Sequence, residues 1–168
     1  MPAWSPQIAN EFVRLGLRDG QSFDQMHLQE LVYIAHGWCL KITGDPLTGD
    51  RPEALEHGPE YRRLALALAH WGCAPITKPV VEGANGSISE TDATLDEHEL
   101  FSIEYDILAR VHRHYGKLRT SQLAMLTRAP GTPWETVYAG GIGKSQDISH
   151  ALIRGQFEQI AAQLGSKA

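Results

Sequence analysis

The sequence predicts a mainly α-helical fold, a compact helical domain with a small β-hairpin element. Apolar residues recur at helical spacing along most of the 168 residues. Glycine and proline separate these stretches, at the places where helices end and turns begin. Asn85-Gly86, between two short β-prone segments, is the dipeptide that tight hairpin turns favour. A chain of this length suits one domain, and we expect residues 1–168 to form a single unit.

Two helices are predicted in the first 44 residues. The first begins at Ser5-Pro6, with serine as the N-cap and proline in the first turn, and Asp19-Gly20 ends it. The second runs from about residue 24 to residue 42 and stops before Gly44. Its apolar residues lie on more than one face, so we expect a central, largely buried helix. These residues are Leu28, Leu31, Val32, Ala35, Trp38 and Ile42.

The middle of the chain is expected to hold a third helix and the hairpin. A short extended piece is predicted around residues 53–57, and Gly58-Pro59 then opens the third helix. Gly72 ends that helix. The hairpin itself is predicted from residues 76–82 and 87–89, on either side of the Asn-Gly dipeptide.

The last third of the chain predicts further helical segments. A long helix covers about residues 96–115, and a short one covers about 120–127. Pro133-Trp134 starts another helical turn, and the glycine-rich residues 140–143 link it to a closing helix over about 149–164.

Composition and termini predict a soluble cytoplasmic protein. No apolar run reaches the ~18 residues that a membrane span needs. The first residues lack the basic and apolar stretches of a secretory signal. Two cysteines are too few for a disulfide framework and fit a reducing compartment. The net charge of −5 argues against a dedicated nucleic-acid binder, which usually carries a basic surface.

Charges are segregated along the second half of the chain. Residues 79–109 contain no lysine or arginine, and residues 107–134 contain no aspartate or glutamate. Acids at the start of a helix and bases at its end complement the helix dipole, and the same bipolar surface would steer a charged partner. Trp71 is a further candidate anchor, since aromatic residues often dominate protein interfaces. The basic candidates for partner binding are Arg110, Arg113, Lys117 and Arg119.

Two motifs suggest a ligand, and neither has the required context. Gly143-Lys144-Ser145 resembles the end of a phosphate-binding loop, but Tyr138 stands where that loop needs its first glycine. His36 with Cys39 and His70 with Cys73 could supply four zinc ligands. Their spacing does not match the usual zinc patterns, and cysteine in an apolar helix is usually a small core residue. We therefore expect no metal and no cofactor.

No catalytic motif stands out. The sequence has neither the Gly-x-Ser-x-Gly elbow of hydrolases nor the His-Glu-x-x-His helix of metalloproteases. Since catalytic groups can also be brought together by the fold, an enzyme is not excluded by this observation alone. We expect a binding protein rather than an enzyme.

Several segments, in order, resemble one known family. Leu28 to Trp38 looks like a leading helix with a leucine-x-x-leucine-leucine-tyrosine pattern, and 44–47 looks like the turn that follows it. Residues 53–59 are similar to an Ala-Trp-x-x-Gly-Pro signature. Leu126-Thr127 followed by Thr132-Pro133-Trp134 is similar to a Thr-His and Ser-Pro-Trp element. This ordered set resembles the Panacea domain, the family of SocA-like antitoxins and GepA-type phage-associated proteins.

The resemblance implies a helical domain without a catalytic centre that acts by binding a protein. Family members lie beside diverse toxins and neutralise them, and a SocA-like member acts as a proteolytic adaptor for its toxin. The partner implied is a protein toxin. The alternative is a host protein, if the chain is a phage-encoded inhibitor of host defence. A small metalloprotein and a nucleic-acid-binding autoregulator are the less favoured readings. The oligomeric state stays open.

The matching residues are expected to be mostly structural. Gly58 would allow a close approach, and Pro59 would fix φ at the start of a helix. Trp134 would fill the core beside Tyr33. The full set of matching residues is Leu28, Leu31, Tyr33, Gly58, Pro59, Pro133 and Trp134.

Overall fold

The structure is a computed structural model that describes residues 2–79 and 100–166. Over these residues it confirms the mainly helical fold with a small antiparallel hairpin. None of the described helices is both long and apolar enough to span a bilayer. The elements are α1 (Ser5–Arg18), α2 (Gln25–Thr43), β1 (Glu53–Leu55), β2 (Gly58–Glu60), α3 (Arg62–Leu68), α4 (Ser102–Tyr115), α5 (Thr120–Arg128), α6 (Pro133–Tyr138) and α7 (His150–Ser166).

Helix α2 lies at the centre of the fold, as its apolar pattern predicts. Every residue from 28 to 37 is buried, because α1, α4, α5, α7 and β2 pack around the helix. Asp24 caps its start by accepting a 2.8 Å hydrogen bond from the His27 N–H. Gly44 ends it with a φ of 82°, and its N–H donates to the Leu40 carbonyl.

The start of α1 differs by one residue from the prediction. The N-cap is Trp4, and Ser5 is the first helical residue. Asp50, in the loop after α2, accepts hydrogen bonds from the Ser5 N–H at 2.8 Å and from the Ser5 hydroxyl at 2.5 Å. Since the serine side chain is engaged by this distant carboxylate, it does not cap its own helix.

The assignment of Gly58-Pro59 to a helix start is wrong. Both residues lie in β2, and the third helix begins only at Arg62. Gly58 has a φ of 120°, a value that favours glycine, and stands opposite Leu55 in the hairpin. Pro59 stands opposite Ala54, whose N–H and C=O both bond away from β2, to Gln146 and Ser145. Pro59 therefore occupies a position that needs no N–H in the ladder.

The other predicted boundaries agree closely where they can be compared. Helices α5 and α7 lie within two residues of the predictions, and α6 begins at Pro133 as expected. The hairpin predicted around Asn85-Gly86 lies outside the described residues, apart from its first residues, 76–79. Within these, Ile76 forms an isolated bridge with Phe23. Residues 96–99 of the predicted long helix also lie outside, and α4 is described from Ser102.

The glycine-rich linker after α6 is tied to the hairpin. Ser145 N–H donates to the Ala54 carbonyl, and Ala54 N–H donates to the Gln146 carbonyl, both at 2.8 Å. Helical residues, not a β-strand, precede this linker, so it lacks the setting of a phosphate-binding loop.

Helices α2 and α7 pack through a glycine. A Cβ added at Gly37 would overlap the ring of Phe157, which is fully buried.

We expect Gly37→Ala to lower the free energy of unfolding by about 1–3 kcal/mol, because the packed ring has no room to move. A Cβ added at Gly155 in α7 would meet only open space. Gly155→Ala should therefore raise the free energy of unfolding by about 0.5–1 kcal/mol. Urea denaturation of both variants tests the pair, and equal effects would contradict this packing.

Candidate protein-interaction surface

The residues that resemble the family signature converge on the β1–β2 hairpin. Leu28, Leu31 and Tyr33 are fully buried in α2. Gly58 and Pro59 are buried in β2, against α2 and α5. The last two residues of the set begin α6, which packs on β1. These positions build the fold around the hairpin.

Two side chains hold the hairpin by hydrogen bonds to its backbone. Gln29 Nε2 donates to the Tyr61 carbonyl at 3.1 Å, and Gln29 Oε1 accepts from the Tyr61 N–H at 2.9 Å. Trp134 Nε1 donates to the Leu55 carbonyl at 2.6 Å. The role of Gln29 was missed by the sequence reading, because no local pattern marks a glutamine that bonds a backbone 32 residues away.

Trp134 does not lie in the core beside Tyr33. It is half-buried and stacks on Tyr138, with ring centroids 5.0 Å apart, while Tyr33 faces Phe157. Its indole N–H needs an acceptor, and the strand-end carbonyl that supplies it lies at the edge of the core.

An open groove of about 450 Å³ lies between the ends of α2, α4 and α7, and we call it the α2–α4 groove. Apolar side chains one helical turn apart form its floor. They are Trp38 and Ile42 from α2 and Ile107 and Val111 from α4. Leu164 of α7 closes one side. Ile42 is 45% exposed and Leu164 is 58% exposed, so apolar surface faces solvent in the free chain.

The rim of the α2–α4 groove is basic. Arg110 and His114 line it from α4, one helical turn apart, and among the described residues no aspartate or glutamate lines it. Trp38 Nε1 donates to the Tyr115 hydroxyl at 3.2 Å, which fixes the orientation of the indole in the groove. The groove can therefore bury apolar side chains and pair with negative charges beside them.

The groove contains one of the five predicted partner-binding residues. Arg110 lines it, while Arg113 lies exposed on the same helix without lining it. Lys117 and Arg119 are exposed beyond the end of α4. Trp71 is half-buried in the turn after α3 and packs against the core.

The four candidate zinc ligands do not form one site. His36 is fully buried, with its Nδ1 3.3 Å from the Thr48 hydroxyl, and its ring meets His150 edge to face at 5.0 Å. Cys39 is buried near the Thr43 hydroxyl, whereas His70 and Cys73 are exposed. Across residues 2–79 and 100–166, no three His, Cys, Asp or Glu side chains are grouped as metal ligands.

Burial shifts the protonation of these buried groups. It lowers the pKa of His36 to about 3, with a smaller contribution from the nearby His150. It raises the pKa of the Cys39 thiol to about 11. A neutral histidine and an un-ionised thiol are what a packed core favours, so both residues have a structural role here.

Comparison with known proteins identifies the family. The model of the family described as "Antitoxin SocA-like, Panacea domain" matches residues 28–135, more than half of the chain, so the chain belongs to this family. It is similar to Antitoxin SocA of Caulobacter vibrioides (strain NA1000 / CB15N), with 29% identity over 138 residues. The match covers 77% of this chain and 69% of that protein. No solved structure matches.

The two hydrogen bonds between the Gln29 side chain and the Tyr61 backbone, which we call the Gln29 clasp, give a stability prediction. Gln29→Ala would leave the buried N–H of Tyr61 without a partner, while the Tyr61 carbonyl keeps its hydrogen bond from the Ala65 N–H. We therefore expect a loss of about 1–3 kcal/mol in the free energy of unfolding. Gln25→Ala in the same helix is the control, because that side chain bonds the Gly72 carbonyl at an exposed site. It should cost less than about 1 kcal/mol. Chemical denaturation distinguishes the two, and a Gln29 variant as mild as the control would refute the clasp.

His36 makes the fold sensitive to acid. Its folded pKa lies below the ordinary value of 6.5, so the stability it supports is present above pH 6.5 and is lost as the pH falls toward 3. The loss from this residue should reach about 2 kcal/mol by pH 5. We expect His36→Asn to be less stable at neutral pH but to lose less on acidification. The exposed His114→Asn control should keep the wild-type slope in denaturation measured from pH 7.5 to 5, and equal slopes for all three proteins would contradict this role.

Proposed function

We propose that this chain is an antitoxin that binds a protein toxin and neutralises it by direct contact. Membership of the SocA-like Panacea family supports this role, as does the similarity to a protein named Antitoxin SocA. The observation in the structure that carries the proposal is the α2–α4 groove. It combines exposed apolar side chains with a basic rim, a composition suited to binding another protein.

The partner segment that fits this groove is amphipathic and acidic. Its apolar side chains would cover Ile42, Ile107 and Leu164, which are adjacent in the groove. Aspartate or glutamate beside them would pair with Arg110, and with His114 when that ring is protonated. The occupant proposed is thus a helix or extended segment of the toxin with acids flanking an apolar stripe.

Binding at the groove can neutralise a toxin by two routes. The chain can cover the toxin's functional surface, or it can present the toxin to a protease as an adaptor. The two routes share the contact and differ in what happens to the toxin. Immunoblots of the toxin during rescue separate them, since a steady level indicates blocking and a falling level indicates degradation.

Co-expression with the product of the adjacent gene tests the proposal. We expect the wild-type chain to restore growth and to co-elute with that protein in size-exclusion chromatography. Arg110→Glu should weaken binding about tenfold or more, ~1.4 kcal/mol, because it replaces attraction by repulsion at the rim. Ile42→Gln should also weaken it by removing exposed apolar contact area.

Matched controls lie on α3, which does not line the groove. Arg62→Glu reverses an exposed arginine, and Leu66→Gln replaces an apolar side chain that is 70% exposed. Both should leave rescue and co-elution unchanged. No rescue and no complex with the wild-type chain would overturn the proposed function. Rescue that is equally good in the groove variants would exclude the groove as the docking surface.

A further inference from the structure

A second, smaller cavity lies beside the N-terminal half of α2. It has a volume of about 60 Å³, more than the ~10–15 Å³ that one water molecule needs. It separates α2 from the hairpin, with Gln25 and His57 completing its edge. The residues that define it are Met26, Gln29 and Glu30 from α2 and Gly58, Pro59 and Glu60 from β2.

Glu30 is buried beside this cavity with one of its two carboxylate oxygens unpaired. Its side chain is 4% exposed, and Glu30 Oε2 has no hydrogen-bond donor among the described residues. Burial raises the pKa of Glu30 to about 7, and the Thr127 hydroxyl and the charge of Arg128 offset this only in part. A buried carboxylate with one unpaired oxygen is unfavourable for the free chain, and a positive group in the cavity would lower that cost.

The cavity has a second carboxylate at its edge. Burial and the charge of Glu53 raise the pKa of Glu60, which is half-buried in β2. The other titratable or charged groups near Glu30 are Tyr33 on α2, His57 in the hairpin turn and Arg128 on α5. Arg128 is the cation already close, and it forms no ion pair with Glu30 within the described ranges.

We propose that this cavity receives an arginine side chain of a partner protein, whose guanidinium pairs with Glu30. A guanidinium is planar, carries several N–H donors and is weakly hydrated, so it suits a small site with an unpaired carboxylate. Met26 is 43% exposed at the mouth and would cover the aliphatic stem of the arginine. The site is separate from the α2–α4 groove, and it rests on the proposed function only in taking a protein as the partner.

Titration of the full chain with N-acetyl-arginine amide tests the site without the toxin. The carboxyl carbons of a ¹³C-glutamate-labelled sample report the pKa of Glu30 by NMR. We expect saturating arginine amide to lower that pKa, because a cation beside the carboxylate favours its ionised form. N-acetyl-citrulline amide has the same shape without the charge and should leave the pKa of Glu30 unchanged.

Variants assign the response to the cavity. Glu30→Gln should abolish the saturable amide shifts at Met26 and Gly58, while Glu56→Gln, at an exposed turn residue outside the cavity, should keep them. His57→Gln removes the neighbouring imidazole and should keep the response of Glu30 to arginine amide. An equal response to citrulline amide, an unchanged pKa of Glu30, or amide shifts that persist in Glu30→Gln would overturn the site.

The outcome does not depend on folding of the Glu30 variant or on the toxin. If Glu30→Gln fails to fold, the wild-type comparison of arginine amide with citrulline amide still decides the question. Absence of arginine binding together with growth rescue removes the cavity and leaves the antitoxin role intact. Arginine binding without growth rescue by co-expression supports the cavity as an arginine site and overturns the antitoxin role.

Discussion

The complete burial of residues 28–37 of α2 is the constraint on which the rest of the structure depends. A helix buried on all sides must be surrounded, so α1, α4, α5, α7 and the hairpin each cover part of it. Every polar side chain in the buried stretch then needs a partner inside the protein. Gln29 bonds the backbone of Tyr61. His36 has Thr48 at one ring nitrogen and no partner at the other, and Glu30 leaves one oxygen unpaired.

Local sequence patterns predict the structural features that neighbouring residues determine. They fail for the features that contacts with distant residues determine. The periodicity of α2 and the stop at Gly44 are local, and both ends of the helix lie within a residue of the prediction. Gly58-Pro59 is ambiguous locally, since the same pair can begin a helix or form a strand. The choice is made by Ser145 and Gln146, which bond Ala54 from about 90 residues away.

The candidate sites follow the same division. The basic run after residue 109 was visible in the sequence, but only the packing of α2, α4 and α7 shows that Arg110 borders an apolar groove. His36 and Cys39 have the spacing of ligands on one helix face, yet the rings that His36 meets are those of Tyr61 and of His150, which lies more than 100 residues later. The cavity at Glu30 has no sequence signal, because a single glutamate in an apolar helix looks like a solvent-facing residue.

The groove and the cavity lie on one rigid helix, and their positions determine how a partner can use them. Glu30 and Ile42 are 12 residues apart, which places them about 18 Å apart along the axis and about 120° apart around it. A flat partner surface cannot face both directions at once. The acidic, amphipathic segment proposed for the groove and the arginine proposed for the cavity must therefore belong to different elements of a partner that contacts two faces of the domain, or to different partners.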